Sequence, residues 1–323
     1  MYPLKFEPIY KNKIWGGRNL KRIFNKNIHE ESVGESWEIA SHENGESIIK
    51  NGTYKSMTIQ ELVTEQDQKV LGEKAVDEYH KKFPLLIKLI DAQDNLSVQV
   101  HPDDQYASRF EDGESGKTEL WYILNAEPGA KIIYGLQENI NKEQFKEAIK
   151  NSSINKLLNE VEVKTGDFFY IPAGTVHAIG KGIMIAEIQQ NSDTTYRVYD
   201  WDRVDDKGNS RDLHINKALD VIDFNRNNPI KAEKIIVKNT NYKLTELINT
   251  EYFNIRTVEI YKRYKADTKN KRFYIYMNLG SEVTINYNDG KMKVRKGETI
   301  LIPAALGEYE IVGQTKLLKS FLE

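Results

Sequence analysis

Two stretches in distant parts of this chain resemble one another, and that limits the fold more than any other feature. "VKTGDFFYIPAGTVHAI", starting at Val163, and "VRKGETILIPAALGEYEI", starting at Val294, each put an acid after glycine and, three residues later, Ile-Pro-Ala. Upstream of each lies a similar strand-like run ending in asparagine, "WYILN" at 121–125 and "YIYMN" at 274–278. From Asn125 to Ile171 is 46 positions and from Asn278 to Ile302 is 24. The difference of 22 is the length of segment 139–160, which carries apolar residues at helical spacing (Phe145, Ala148, Ile149, Ile154, Leu157, Leu158). Two copies of one β unit, the first with a helical insertion at about 139–160, account for the pattern. The copies differ where chemistry would sit: aligned by sequence, Glu119 falls on Arg272 and His177 on Glu308.

The rest of the chain agrees with a mainly β protein. Eighteen tyrosines, eleven phenylalanines and many Val and Ile favour strands. "FPLLIKLIDA" (83–92) suits a buried strand, with Lys88 an odd residue inside it. One clear helix start stands at Thr58, with Glu61 three residues on as in a capping box, so a helix is expected over 57–72. The first 55 residues read as short strands and loops, and the polar stretch 223–233 as a boundary between units. The expected division is a catalytic domain over 1–230 and a second, metal-free domain over 231–323.

Composition removes several function classes. With 323 residues, 46 Lys plus Arg and 48 Asp plus Glu, the net charge of -2 gives no basic surface for nucleic acid. No apolar run is long enough to span a bilayer, and the first residues hold no signal-peptide core, so a cytoplasmic protein is expected. The absence of cysteine excludes disulfides, thiol catalysis and iron–sulfur clusters, so any metal must be held by nitrogen and oxygen.

Four residues of the first unit suit such a site. In "NLSVQVHPDD" (95–104), Ser97, Gln99 and His101 alternate with Val98 and Val100, so a strand turns the three polar side chains to one face. Glu119 lies in another alternating stretch, and His177 follows the turn "IPAGTVH". Two imidazoles, a carboxylate and an amide from separate strands form a metal-ligand set free of sulfur. His29, His42, His80 and His214 stand alone and read as surface or hydrogen-bonded residues.

"LSVQVHPDD", "GKTELWYIL", "IPAGTVHAI" and "EIQQNSDTTYRVYDWDR", in that order, closely resemble the mannose-6-phosphate isomerases of the short bacterial type, enzymes of the cupin superfamily. "IWGG" (14–17) and "GESWEIA" (34–40) also resemble that family's N-terminal segments, and the resemblance covers at least residues 1–220. It implies two cupin-type (jelly-roll) β-barrels with a few short helices. It implies one zinc ion per chain, other divalent metals remaining possible, held by Gln99, His101, Glu119 and His177. The implied activity is interconversion of D-mannose 6-phosphate and D-fructose 6-phosphate by C1/C2 proton transfer through an enediolate.

By the same resemblance Arg197 stands over the substrate as a cation, against the plainer reading of an arginine paired with Asp193 or Asp200. Lys117 and Glu187 are both candidates for the proton-transferring group, and the sequence does not choose between them. Burial would raise the pKa of Glu187, and an ion pair with Arg197 is an equal reading. Lys88, Ser97, Lys117 and Arg197 are expected to contact the sugar phosphate, the one partner foreseen for a monomer or homodimer. Iron-dependent cupin dioxygenases share the architecture but use a His-x-His pair, and here the first position is Gln99.

Overall fold

The computed structural model describes residues 1–79, 81–204, 207–225, 234–288 and 290–323. His80 and most of the expected boundary, 226–233, lie outside the described residues. Antiparallel pairing generates four main sheets that form two sandwiches. In the first, a six-stranded sheet runs in the order Phe168–Ile171, Glu119–Ala126, Ile183–Gln190, Leu85–Ala92, Glu35–Ile39, Ile9–Lys11. It faces a five-stranded sheet ordered Leu158–Glu162, Lys131–Leu136, His177–Ile179, Val98–Val100, Tyr196–Tyr199. The second sandwich pairs a seven-stranded sheet with a four-stranded one built from 263–312. Among the described residues the hydrogen-bond ladders do not close either pair of sheets into a full ring, so each unit is a two-sheet jelly roll.

Alternation along the strands decides what faces what. In Ile183–Gln190, Ile183 and Ile185 pack inside the first sandwich with Trp121, Phe169 and Tyr134, whereas Met184, Ala186 and Ile188 point outward. The outward residues are not solvated. They pack with Ile87, Leu89, Leu120 and Tyr122 against Ile255, Ile275, Met277, Leu301 and Leu318 of the second sandwich. Helix Ile59–Leu71 seals this shared core with Leu62, Val63, Val70 and Leu71, and Thr58 caps it with Glu61 in the expected box. Each such fully buried aliphatic is worth about 1.5–3 kcal/mol, so the two sandwiches hold each other in place. Residues Leu4–Lys5 pair with the strand Thr299–Ile302, so the chain's first strand belongs to the second sandwich's sheet. No helix among the described residues is long and apolar enough to cross a membrane.

The inserted segment is a helix, Lys142–Lys150, and one 3-10 turn, Ile154–Leu157; from Leu158 it is already strand. A short helix, Asn19–Phe24, arises where strands and loops were expected, and others not foreseen follow at Glu73–Tyr79, Asp104–Phe110 and Ile215–Val221. Helix Asp104–Phe110 is capped by the Asp103 side chain, which accepts from the Tyr106 amide.

The two copies are real, but their pairing corrects the sequence alignment. Ile171 faces Glu119, whereas the matching Ile302 faces Tyr274, so Tyr274 and not Arg272 occupies the place of Glu119. A two-residue slide keeps every side chain on its own face and so escapes notice in a sequence pattern. His177 is fully buried, but Glu308 is exposed and Tyr309 is the residue that turns inward. The 3-10 turn Ala304–Leu306 and Gly307, at φ +80°, deliver that strand one residue out of phase. In the next row, Lys88, Glu187 and Trp121 lie side by side in the first sandwich; Arg256, Lys319 and Tyr276 do so in the second.

Candidate metal centre and active site

The backbone brings the four expected ligands to one end of the first sandwich. Gln99 and His177 are direct cross-strand partners in one sheet, and Glu119 enters from the facing sheet. His101 follows the short strand Val98–Val100, whose valines pack outward against the helical cover. The turn after Pro172 is tied to His101 by the Gly174 amide donating to its carbonyl (2.9 Å), and Gly174 adopts φ +84°, which a side chain would strain. Gly116 lies so close to Asp103 that a Cβ would fall 2.5 Å from its carbonyl carbon, and the Lys117 amide donates to the Pro102 carbonyl (3.0 Å). These contacts lock the ligand-bearing loops together.

His101 Nδ1 donates to the Thr194 carbonyl (2.9 Å) and His177 Nδ1 to the Thr175 carbonyl (2.8 Å). Each ring therefore turns a bare Nε2 lone pair inward. Both imidazoles are held neutral: burial, then the Lys117 cation, pushes His177 down to about 3 and His101 well below its ordinary value. Their Nε2 atoms lie 3.5 and 3.4 Å from the Glu119 carboxylate, and with neutral rings these approaches are not ion pairs. Glu119 is fully buried and its Oε1 has no hydrogen-bond partner among the described residues. The donor atoms of His101, Glu119 and His177 all lie within 4.8 Å of one another. Lone pairs and a carboxylate converging in a buried place call for a cation, so the three residues can hold a metal ion. The Gln99 amide sits 3.5 and 3.3 Å from the two Nε2 atoms, and its oxygen reaches the same place by a flip of the amide.

A cleft of about 220 Å³ adjoins this cluster at Gln99 and Lys117, and Ser97, Lys88, Glu187 and Arg197 also line it. Lys117 donates to His101 Nε2 (3.0 Å) and to Glu119. Lys88 is buried beside Glu187 (3.4 Å) and Asp193 (3.9 Å), with its ammonium 5.0 Å from the Trp37 ring. Burial works against its charge, but Glu187, Glu35 and Asp193 outweigh that and raise its pKa. Glu187 accepts from Trp121 Nε1 (3.0 Å); burial, and then Glu119, raises its pKa. The partner of Glu187 is thus Lys88, not Arg197.

Arg197 also departs from the plain reading. It sits opposite Gln99 on the neighbouring strand and donates to the Asp212 carbonyl (2.9 Å), whereas Asp200 takes Arg203 and Arg211. Asp193, the other acid considered, accepts from Asn44 Nδ2 (3.0 Å). Among the other histidines, His42 is packed beside Glu114 (3.3 Å) and His214 Nδ1 accepts from the Arg197 amide. Trp37 is core, buried to 1% exposure.

Sequence reasoning missed Lys13, Glu35, Asp193 and Arg211, which also line the cleft. Glu35 is visible afterwards in "GESWEIA", where alternation sets it on the same face as Trp37. Arg211 carries no local signal, because only tertiary folding brings its loop over the mouth.

Comparison with known proteins agrees with the geometry. The family description "Phosphomannose isomerase type I, catalytic domain" matches residues 3–120, and "Mannose-6-phosphate isomerase, cupin domain" matches 243–322. A mannose-6-phosphate isomerase of Bacillus subtilis is 40% identical over 99% of both chains. One from Streptococcus mutans is 39% identical over 98% of both. The crystal structure of the mannose 6-phosphate isomerase from Bacillus subtilis superposes with a TM-score of 0.91 at 36% identity, covering 99% of each chain. A more distant structure from Archaeoglobus fulgidus, at 21% identity, shares the fold with a TM-score of 0.79. The chain belongs to the mannose-6-phosphate isomerase family, an enzyme family of cupin fold.

Proposed function

We propose that this enzyme interconverts D-mannose 6-phosphate and D-fructose 6-phosphate with one zinc ion held by Gln99, His101, Glu119 and His177. The observation that carries the reading is the buried Glu119 Oε1, unpartnered among the described residues, facing two neutral imidazole lone pairs behind Gln99 and Lys117, which line a cation-rich cleft. When bound, the ion supplies electrophilic stabilisation for negative charge developing on the sugar oxygens.

The chain's own residues divide the remaining work. Isomerisation takes a proton from one of two adjacent carbons and returns it to the other. We assign that transfer to Lys117, because its Nζ already touches Glu119 and His101 and so reaches atoms held at the ligand cluster. Glu187, with one oxygen on Lys88 and the other on Trp121, orients Lys88 towards the sugar hydroxyls in this reading. Ser97 offers a hydroxyl on the same face as Gln99, and Arg197 lies over enediolate charge from the adjacent strand.

A coupled assay with mannose 6-phosphate, run on chelated and on zinc-restored protein, tests the function. Turnover should vanish with the chelator and return with zinc, and no conversion under any divalent metal rejects the reading. Lys117→Met should stop exchange of the substrate's C2 proton with solvent, which Glu187→Gln should retain.

A further inference from the structure

Lys117 stands just outside the regular sheet. The ladders on both sides of its strand end at Glu119, which faces Ile171 on one side and Gln189 on the other. The segment before it is a loop in which Asp112 and Gly113 both take positive φ. A lysine has a long, flexible stem, and the backbone at a strand end frays unless something ties it down. Even so, the Lys117 side chain is buried, with its Nζ held on His101 Nε2 (3.0 Å) and on Glu119.

The backbone is held from the far face of the same strand. Alternation turns Lys117 and Glu119 inward and Thr118 outward, where Gln190 continues the outward row of Met184, Ala186 and Ile188. The buried Gln190 carboxamide is used at both ends: Oε1 accepts from the Thr118 amide (2.8 Å), and Nε2 donates to the Asp104 carboxylate (3.0 Å). Asp104 also accepts from the Gly116 amide (2.8 Å), and the Gln190 amide donates to the Thr118 carbonyl (3.1 Å). One chain of hydrogen bonds therefore grips the residues before and after Lys117. Asp104 opens the helix that follows His101 and Pro102, and Gln190 ends the strand that bears Glu187. Three segments that carry site residues are thus tied at one point, although neither Gln190 nor Asp104 lines the cleft.

We propose that Gln190, joined to Asp104, is a positioning residue for proton transfer: it fixes the backbone on either side of Lys117 and so keeps Nζ in reach of the reacting carbons. This rests on the isomerase reading and on the role assigned there to Lys117, and deepens both. Gln190 touches neither substrate nor metal ligands in this arrangement. It acts through the Thr118 amide, a buried donor that has to find an acceptor, and the carboxamide supplies one while its other end recruits Asp104.

The test uses the full-length, zinc-restored enzyme. Gln190→Leu keeps the approximate volume and removes both side-chain hydrogen bonds. Its kcat for mannose 6-phosphate, counted per bound zinc, should fall on the order of ten- to a hundredfold, the loss expected from a small displacement of a reacting group. KM should stay within about twofold, because no group that binds substrate has been removed. Gln190→Glu keeps an acceptor for Thr118 but sets a carboxylate against Asp104, and should lose a similar factor. Adding Asp104→Asn to it restores a donor and an acceptor at each joint, so the double variant should recover most of the lost kcat. Exchange of the backbone amides of 112–118 with deuterated water, read by mass spectrometry, should quicken in Gln190→Leu, and this needs no turnover. Unchanged kcat or unchanged amide exchange in Gln190→Leu overturns the proposal. A raised KM at constant kcat, a loss of zinc that accounts for the lost activity, or a double variant no better than Gln190→Glu overturns it too. If the exchange quickens but the wild type isomerises nothing, the isomerase reading fails and the hold on Lys117 stands.

Discussion

Lys319 is buried to 4% exposure inside the second sandwich, in the row position that Glu187 holds in the first. Its ammonium lies 3.5 Å above the Tyr274 ring and 3.3 Å from the Tyr264 hydroxyl, and no carboxylate pairs with it among the described residues. Burial, then Arg256 and Arg272, pushes its pKa down to about 7 from 10.5. At about 1.4 kcal/mol per unit, holding this amine in the folded protein at pH 7 costs roughly 4–5 kcal/mol relative to a free lysine. The surrounding rings return about 2 kcal/mol when the group is charged. Lys319→Met, which keeps the length and removes the charge, should therefore stabilise the fold by about 2–3 kcal/mol at pH 7. With unfolding entropy near 2.1 cal/mol/K per residue, that is a rise of about 3–4 °C in Tm. The pH dependence has a fixed sign. Between pH 7 and 10.5 the unfolded chain binds a proton that the folded chain does not, so wild-type stability climbs with pH. The advantage of Lys319→Met should shrink through that window and stay level below pH 7. Urea unfolding of both proteins at pH 7, 8.5 and 10 reads this directly. A less stable variant at pH 7, or a gap that ignores pH, refutes the reasoning.

Other outcomes follow from the first sandwich and its cover. His101→Ala should remove bound metal and turnover together while the protein still folds, as metal analysis beside circular dichroism will show. Arg197→Ala should keep its metal but lose on the order of 10²-fold or more in kcat/KM, and normal turnover would show that Arg197 has no part in the reaction. Thr58→Ala removes a capping box on helix Ile59–Leu71 and should cost about 1 kcal/mol in denaturant unfolding without touching KM.

The clustering of Gln99, His101, Glu119 and His177 was legible because each sits on or beside a strand, where period-two alternation assigns a face. Gln99, His101 and Glu119 could be placed this way before any coordinates. The helix after Thr58 was legible for a similar reason, since capping is a local interaction between near neighbours. The second copy resisted. Sliding a strand by two residues leaves its alternation intact, and one extra residue before Tyr309 was concealed in a turn, so Arg272 and Glu308 stood in for Tyr274 and Tyr309. The rim of the cleft was not legible at all. Lys13, Asp193 and Arg211 come from three separate connections, and what they share is a place in space. Partner choice was equally hidden: nothing local tells Arg197 to leave Asp200 to Arg203 and Arg211, or Glu187 to choose Lys88.

The pairing of Leu4 with Leu301 has a consequence for the order of events at the ribosome. The first strand leaves the exit tunnel long before its partner exists. At 5–20 residues per second the wait is roughly 15–60 s. Once Leu120, Tyr122 and Met184 have emerged, the apolar back of their sheet stays uncovered, because Leu301 and Leu318 are still to come. The catalytic half must therefore be born sticky and finished late. Loss of even the last strand, Thr315–Phe321, should cost activity through misfolding or aggregation, although none of its residues reaches the cleft.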